Sequence, residues 1–205
     1  MRYVMAIDLK RCIGCHTCSV ACKSNNNLPN TKWYNRVETD GGKGMDTVAG
    51  TYPDNLHMSF VPIACQHCDN PACASVCPVG AITQREDGII IQDADVCIGC
   101  QLCIAACPYE VRVFNEEEPQ YVVDFPLGDW DAPEHLAQKT EKCTFCSNRI
   151  DRDEMPACME YCPASARFWG DIDDPESEVS KYVQGKETMK LLEEEGTQPS
   201  TIYIV

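Results

Sequence analysis

Sixteen cysteines in 205 residues fall into four groups of four, with none left over. The groups are Cys12, Cys15, Cys18 and Cys22; Cys65, Cys68, Cys73 and Cys77; Cys97, Cys100, Cys103 and Cys107; and Cys143, Cys146, Cys158 and Cys162. Groups one and three read CxxCxxCxxxC, group two widens its middle gap by two residues, and group four places eleven residues between its second and third cysteines. Pro78, Pro108 or Pro163 follows the last cysteine of groups two, three and four. Thiolates at this spacing hold cubane iron–sulfur clusters. The chemistry open to the chain is therefore the movement of single electrons.

The spacing has a physical cause. A cubane presents four iron corners, and a tight CxxCxxC loop wraps three of them while its backbone N–H groups turn toward the sulfides. The next cysteine, carried on a helical turn, points the other way and reaches a neighbouring cluster. The trailing proline ends that turn and has no N–H in need of a partner. Each group thus lends three ligands to one cluster and one to another. Structural zinc calls for two CxxC pairs and has no use for a third cysteine followed by CxxxCP. A disulfide scaffold suits a shorter secreted chain, and cysteines this close together cannot all pair without strain.

The elements that must position these groups read as a repeat. Met5 to Leu9 is a strand leading into group one, and Val96 holds a similar place before group three. Ala81–Thr83 and Val111–Phe114 are short β runs after groups two and three. The turn Arg85–Gly88 followed by Ile89–Ile91 makes a β-hairpin. Residues 65–107 form a complete two-cluster unit of bacterial ferredoxin type, and groups one and four, which flank it, must meet to build a second. This nested order predicts ligand exchange between groups one and four and between two and three. The expected fold class is α+β: two interleaved bacterial-type ferredoxin (dicluster) units with added loops and a C-terminal tail. Residues 1–37 with 138–175 form the first unit, 58–114 the second, 38–57 and 115–137 connecting loops, and 176–205 the tail. Just before the tail, Asp173-Asp174-Pro175 marks a turn or helix start, and Ile202–Val205 reads as a closing strand; the two readings of such a tail are packing on its own domain, the favoured one, and wrapping a partner.

Composition agrees with a core that is partly inorganic. The hydrophobic share of 44% includes the cysteines, and aromatics are only 8%. Clusters supply the missing cross-links, so assembly is coupled to folding and the apo-protein is expected to be largely unfolded. A net charge of −15 excludes nucleic acid and anionic lipid as partners. The runs Glu116–Glu118 and Glu193–Glu195 read as solvated acidic surface. No stretch approaches the roughly 18 apolar residues of a membrane span. Met1 to Lys10 has no signal-peptide pattern and no twin arginine. Direct membrane insertion is not expected, and two locations stay open: the cytoplasm, or export in the folded state with a signal-bearing partner.

The segments YVMAIDLKRCIGCHTCSVACK, CQHCDNPACASVCPVGAI, CIGCQLCIAACPY and TEKCTFCSNRIDRDEMPACMEYCPASARFWGDIDDP together resemble the iron–sulfur electron-transfer (beta) subunits of the dimethyl sulfoxide reductase family of molybdopterin oxidoreductases. Similar chains serve polysulfide, thiosulfate, dimethyl sulfoxide and respiratory arsenate reductases. The resemblance runs from Tyr3 to about Pro175 and is specific to the family rather than to one substrate. It implies four [4Fe-4S] clusters. Cys12, Cys15, Cys18 and Cys162 would hold the first, and Cys22, Cys143, Cys146 and Cys158 the second. Cys65, Cys68, Cys73 and Cys107 would hold the third, and Cys77, Cys97, Cys100 and Cys103 the fourth. Relatives that replace one cysteine of group three carry a [3Fe-4S] cluster or none, and no such replacement occurs here. The implied partners are a large molybdenum or tungsten molybdopterin catalytic subunit, facing the first cluster, and an electron donor or acceptor facing the fourth. A membrane quinol or quinone subunit is one such candidate. Two other classes compete with this reading: a free-standing polyferredoxin shuttle, and an electron-transfer subunit of a hydrogenase or formate dehydrogenase.

Cluster potentials span roughly −700 to +450 mV according to hydrogen bonds, charge and exposure. Lys10, Lys23, Arg112, Lys142 and Arg149 stand near cluster ligands in sequence and are candidates to tune them. His16 and His67 sit between ligand cysteines, but the thiol count already completes four cubanes, so both read as loop residues with exposed imidazoles. Trp169 reads as core, while Trp33 and Trp130 suit either core or interface. No dinucleotide fingerprint, P-loop or hydrolase motif is present, and no catalytic residue is expected.

Overall fold

Strands and helices are short throughout residues 1–42, 44 and 46–205, which the computed structural model describes. In chain order they are β1 (Tyr3–Asp8), α1 (Thr17–Asn25), β2 (Asn35–Thr39), β3 (Phe60–Ala64), α2 (Ala72–Ser75), β4 (Ile82–Gln84), β5 (Ile90–Gln92), α3 (Leu102–Ala105), β6 (Val113–Asn115), β7 (Lys139–Glu141), α4 (Ser147–Ile150), α5 (Ala157–Glu160), β8 (Arg167–Asp171), α6 (Glu178–Val183), β9 (Thr188–Met189) and β10 (Thr201–Ile204). The architecture is α+β. Among the described residues no helix is long and apolar enough to cross a membrane.

The apolar run at the N-terminus becomes the middle of a four-stranded sheet, ordered β8-β1-β10-β9. Met5 and Ile7 of β1 and Tyr203 of β10 pack with Ile89, Phe145, Ile150 and Met159 on one face. Val4, Ala6 and Ile204 pack with Phe168 and Val179 on the other. A strand buried on both faces needs a continuous apolar run rather than an alternating one, and that is what Val4–Ile7 supplies. The C-terminal strand β10 lies parallel to β1, from Met5 opposite Thr201 to Asp8 opposite Ile204. Within it, the wholly buried Tyr203 donates its hydroxyl to Pro62 O at 2.9 Å. The end of the chain thereby pins β3, the strand that delivers group two. α6 is capped by Ser177, whose Oγ accepts from Ser180 N, two residues beyond the Asp173–Pro175 turn.

Pairwise helix packing brings the cysteine groups together. α1, which carries Cys18 and Cys22 one turn apart, packs on α5, which carries Cys158. α2 with Cys73 packs on α3 with Cys103. The hairpin β4–β5 pairs Ile82 with Gln92, around the turn read from the sequence. The expected strand at Val96 is absent. β5 ends at Gln92, and Asp93 Oδ1 accepts from the amides of Asp95 and Val96, folding them into a turn instead.

The connector between groups three and four is strapped down by polar contacts. At Gly128, φ is +80° and an added Cβ would stand 2.3 Å from the carbonyl oxygens of Ser24 and Asn25, so the strap crosses directly over the end of α1. Further along, the buried His135 places Nε2 2.8 Å from Asn26 O and Nδ1 2.9 Å from Glu141 Oε2. Tyr34 and Asn115 donate to the same carboxylate. Burial opposes the charged imidazole, but the hydrogen bonds to Glu141 and Asn26 prevail and raise its pKa.

Two outcomes are expected. Tyr203→Phe leaves Pro62 O without its donor and destabilises the protein by about 1–2 kcal/mol, read as faster hydrogen exchange of the β10 amides at unchanged iron content. Because the His135 pKa is raised on folding, its stabilisation is complete below the unfolded value of about 6.5 and is lost as pH rises through the folded one. Proteolysis of residues 116–138 should therefore speed up as pH rises from mildly acidic to alkaline, and a His135→Gln variant should show no such dependence.

Candidate functional site

Each cysteine loop is shaped by one recurring backbone conformation. The residue before the second cysteine is left-handed in all four groups: Gly14 at φ +66°, His67 at +43°, Gly99 at +69° and Phe145 at +59°. This turn aims amides at sulfur. Gly99 N lies 3.5 Å from Cys97 Sγ and Phe145 N 3.4 Å from Cys143 Sγ. Past the trailing prolines, Ala81 N and Ala166 N reach back to Cys77 Sγ at 3.3 Å and Cys162 Sγ at 3.4 Å. Glycine is required at position 99 for space as well, since a Cβ there would meet Gln138 O at 2.1 Å.

Two cavities lie inside these loops. One is lined by Cys65, Cys68, Cys73 and Cys107. The other is lined by Cys12, Cys15, Cys18 and Cys162. Each takes three cysteines from one group and the fourth from another. Cys22 is buried with Cys143, Cys146 and Cys158 close enough for each thiol to raise its pKa. Cys97 and Cys103 share Thr140 Oγ1, at 3.7 and 3.4 Å, and Cys77 packs in one apolar cluster with Cys103. Cys100 is exposed, as is Cys15. Among the described residues no three His, Cys, Asp or Glu side chains close around a single ion. The sulfurs instead line shared cavities, four to each of the two described above.

The donor set fits an anionic cluster. Burial, reinforced by neighbouring thiols, pushes Cys68 and Cys146 up to about 12 and raises Cys143 as well. Such thiols keep their protons until a soft cation displaces them, so loading and deprotonation are one event. Several buried polar atoms inside the groups have no partner among the described residues: Ser19 Oγ, His67 Nε2 and Thr144 Oγ1. Hydrogen-bond donors around bound sulfur tune an iron–sulfur centre.

Two features read differently from the sequence expectation. His67 is 1% exposed, not a solvated loop residue. Its Nδ1 accepts from Ile90 N at 3.0 Å, and its ring meets Phe145 edge-on at 5.1 Å. Burial, with Lys142 nearby, lowers its pKa, so it is the neutral tautomer with the proton on Nε2. His16 is half-buried rather than exposed, in a left-handed position that caps α1. The five candidate cations also divide. Lys10 bonds the carbonyl of Val205 at the surface, Lys23 bonds three backbone carbonyls, and Arg149 is spent on Asp129 and Glu160. Arg112 and Lys142 are buried beside cysteines. The sequence reading missed Arg167, 7% exposed, with Nη1 3.6 Å from Cys158 Sγ. A signal for it existed: Arg112 and Arg167 each stand five residues after the last cysteine of their group. Of the tryptophans, Trp169 packs half-buried against Tyr3, and Trp33 and Trp130 are exposed.

Comparison with known proteins agrees with this geometry. Two profiles of the 4Fe-4S dicluster domain match, one over residues 56–122 and another over 11–81 and 96–166. A Halobacterium salinarum protein assigned as an iron–sulfur subunit of dimethyl sulfoxide reductase is 49% identical over 98% of this chain and 78% of its own. The iron–sulfur subunit of arsenate respiratory reductase from Shewanella sp. strain ANA-3 is 36% identical over 100% of this chain and 96% of its own. One of the chains of polysulfide reductase from Wolinella succinogenes is 36% identical over 100% and 94%. With its dicluster loops and full-length similarity to these subunits, the chain belongs to the family of iron–sulfur subunits of dimethyl sulfoxide, arsenate and polysulfide reductases, and it transfers electrons without being catalytic itself.

Proposed function

We propose that the sixteen cysteines hold four [4Fe-4S] clusters in two interleaved ferredoxin units, and that these relay single electrons to or from a molybdopterin-containing catalytic subunit. The observation that carries this reading is the pair of cavities that each combine three cysteines of one group with a distant fourth. Cys12, Cys15, Cys18 and Cys162 hold the first cluster; Cys22, Cys143, Cys146 and Cys158 the second; Cys65, Cys68, Cys73 and Cys107 the third; and Cys77, Cys97, Cys100 and Cys103 the fourth. Residues 1–37 with 138–175 make one unit and 58–114 the other, joined by 38–57 and 115–137, with 176–205 as the tail. Packing of α1 on α5 and of α2 on α3 supports that division.

Each cluster, when bound, supplies a one-electron store. The residues around it hold the thiolates, aim amides at sulfur and keep water out. The order of the wire is supported by which thiols sense each other: Cys158 senses Cys18, and Cys143 senses Cys65. Its two ends are supported by exposure. Ile13 and Ile98, at matching places in the two CIGC loops, are 61% and 62% exposed beside the exposed Cys15 and Cys100. The first end faces the catalytic chain and the second its electron donor or acceptor. Similarity to subunits named for reductases supports a catalytic partner. A membrane quinol or quinone subunit would complete the path wherever quinone is the donor, because among the described residues no helix is long and apolar enough to cross a membrane.

Anaerobic protein should contain four iron atoms for each of four clusters, about sixteen per chain, and should co-purify with a large chain holding molybdenum or tungsten. An active monomer without such a partner would favour a free-standing carrier. Interleaving has its own test by electron paramagnetic resonance. Cys162→Ser should remove the same signal as Cys12→Ser, and Cys158→Ser the same signal as Cys22→Ser. Loss of one common signal on changing Cys158 and Cys162 would contradict the assignment.

A further inference from the structure

Three bases are buried without a carboxylate partner among the described residues: Arg167 at 7% exposure, Lys142 at 3% and Arg112 at 6%. The chain has 32 acidic residues against 17 lysines and arginines, so counter-charge is plentiful. Arg2, Arg36, Arg85, Arg149 and Arg152 all take carboxylates. Arginine cannot shed its charge, and a buried charge lacking an opposite one is strongly disfavoured. The opposite charge for these three must come from something other than Asp or Glu.

Their positions indicate what it is. Arg167 Nη1 lies 3.6 Å from Cys158 Sγ, while the same side chain lines the cavity of Cys12, Cys15, Cys18 and Cys162. It therefore stands between the first and second cysteine sets. Lys142 Nζ donates to the carbonyl of Cys143, in the second set, and to that of Ile90, which lines the cavity of the third. Arg112 lines the third cavity itself, with Nε and Nη1 buried and unpartnered among the described residues. Its Nη2 donates to Gln92 Oε1, Gln92 Nε2 donates to Thr140, and Thr140 Oγ1 touches Cys97 and Cys103 of the fourth set.

We propose that Arg167, Lys142 and Arg112 are potential-setting residues, one at each of the three junctions between successive clusters, each sharing its positive charge with the two clusters it separates. The proposal rests on the cluster assignment above. An electron arriving on either neighbour adds negative charge in a low-dielectric interior, where a fixed cation stabilises it strongly. Each cation thus raises two potentials at once, and it weakens the repulsion that opposes having both neighbours reduced. The step served is one electron leaving a reduced cluster for the next oxidised one, with no bond broken and no proton moved.

The test is an anaerobic redox titration, followed by electron paramagnetic resonance, of the iron-loaded protein in its complex. Arg167→Gln should lower the first and second potentials and leave the third and fourth in place. The reduced-to-oxidised ratio of each affected cluster at fixed ambient potential should fall about tenfold, about 59 mV for a one-electron couple. Lys142→Gln should move the second and third clusters, and Arg112→Gln the third and fourth. Arg167→Lys should restore most of the shift. Asn35→Asp offers a variant that keeps the arginine, because Asn35 Oδ1 is 3.5 Å from Arg167 Nη2 and a carboxylate there neutralises it in place. It should move the first two clusters in the same direction. Full iron content with four unchanged potentials, or four that shift together, would overturn the proposal. Too little iron in the parent protein would instead count against the cluster assignment.

Discussion

Convergence of sulfur from remote parts of the chain is the constraint on which the rest of this fold depends. Cys12 and Cys162 line one cavity, and Cys65 and Cys107 another. No local element can bring such pairs together, so the secondary structure is subordinate to them. Helices α2 to α5 are single turns of four residues, far too short to be stable alone, and α2, α3 and α5 each carry a cysteine while Cys146 caps α4. What holds α4 and α5, through Ile150 and Met159, is the pair of terminal strands, β1 and β10, buried between two apolar layers, while α2 and α3 pack on each other beside the β4–β5 hairpin. Chain ends that would otherwise fray therefore lock the frame.

The same convergence explains where strain is tolerated. A left-handed residue other than glycine costs about 1–2 kcal/mol, and groups two and four place His67 and Phe145 in that conformation. Groups one and three use glycine, where a side chain would collide with the Phe60 ring or with Gln138 O. His67 and Phe145 instead pack edge-on against each other in the core. Burial of a phenylalanine side chain is worth about 1.5–3 kcal/mol, enough to offset the left-handed turn. The contact also joins group two to group four.

Legibility in the sequence followed this division. Cysteine spacing, the β4–β5 hairpin and the closing strand are dictated by local chemistry, by ligand reach, turn residues and apolar runs, and each could be read from a few adjacent residues. His67, His135 and Arg167 could not, because their roles come from neighbours remote in sequence. His67 is buried only because Phe145 and Ile90 cover it, and His135 is held by Asn26 and Glu141. The Val96 expectation failed on a local competitor, the Asp93 side chain, which captures two amides before a strand can extend. Arg167 was within reach of a closer reading of the repeat, since it falls at the same offset from Cys162 as Arg112 does from Cys107.

Charge is sorted in this protein by partner. Carboxylates give the surface its negative sign, and they also neutralise Arg152 and the buried Arg149 in networks with Asp129, Asp131 and Glu154. Those networks fasten the connector over α1 without adding positive charge to the interior. The bases that remain uncompensated lie inward, among thiols that burial would otherwise keep protonated. In a relay whose cargo is negative charge, this is the arrangement that electrostatics favours. An acidic exterior discourages electrons from residing near the surface, and isolated interior cations hold them along the line of sulfur.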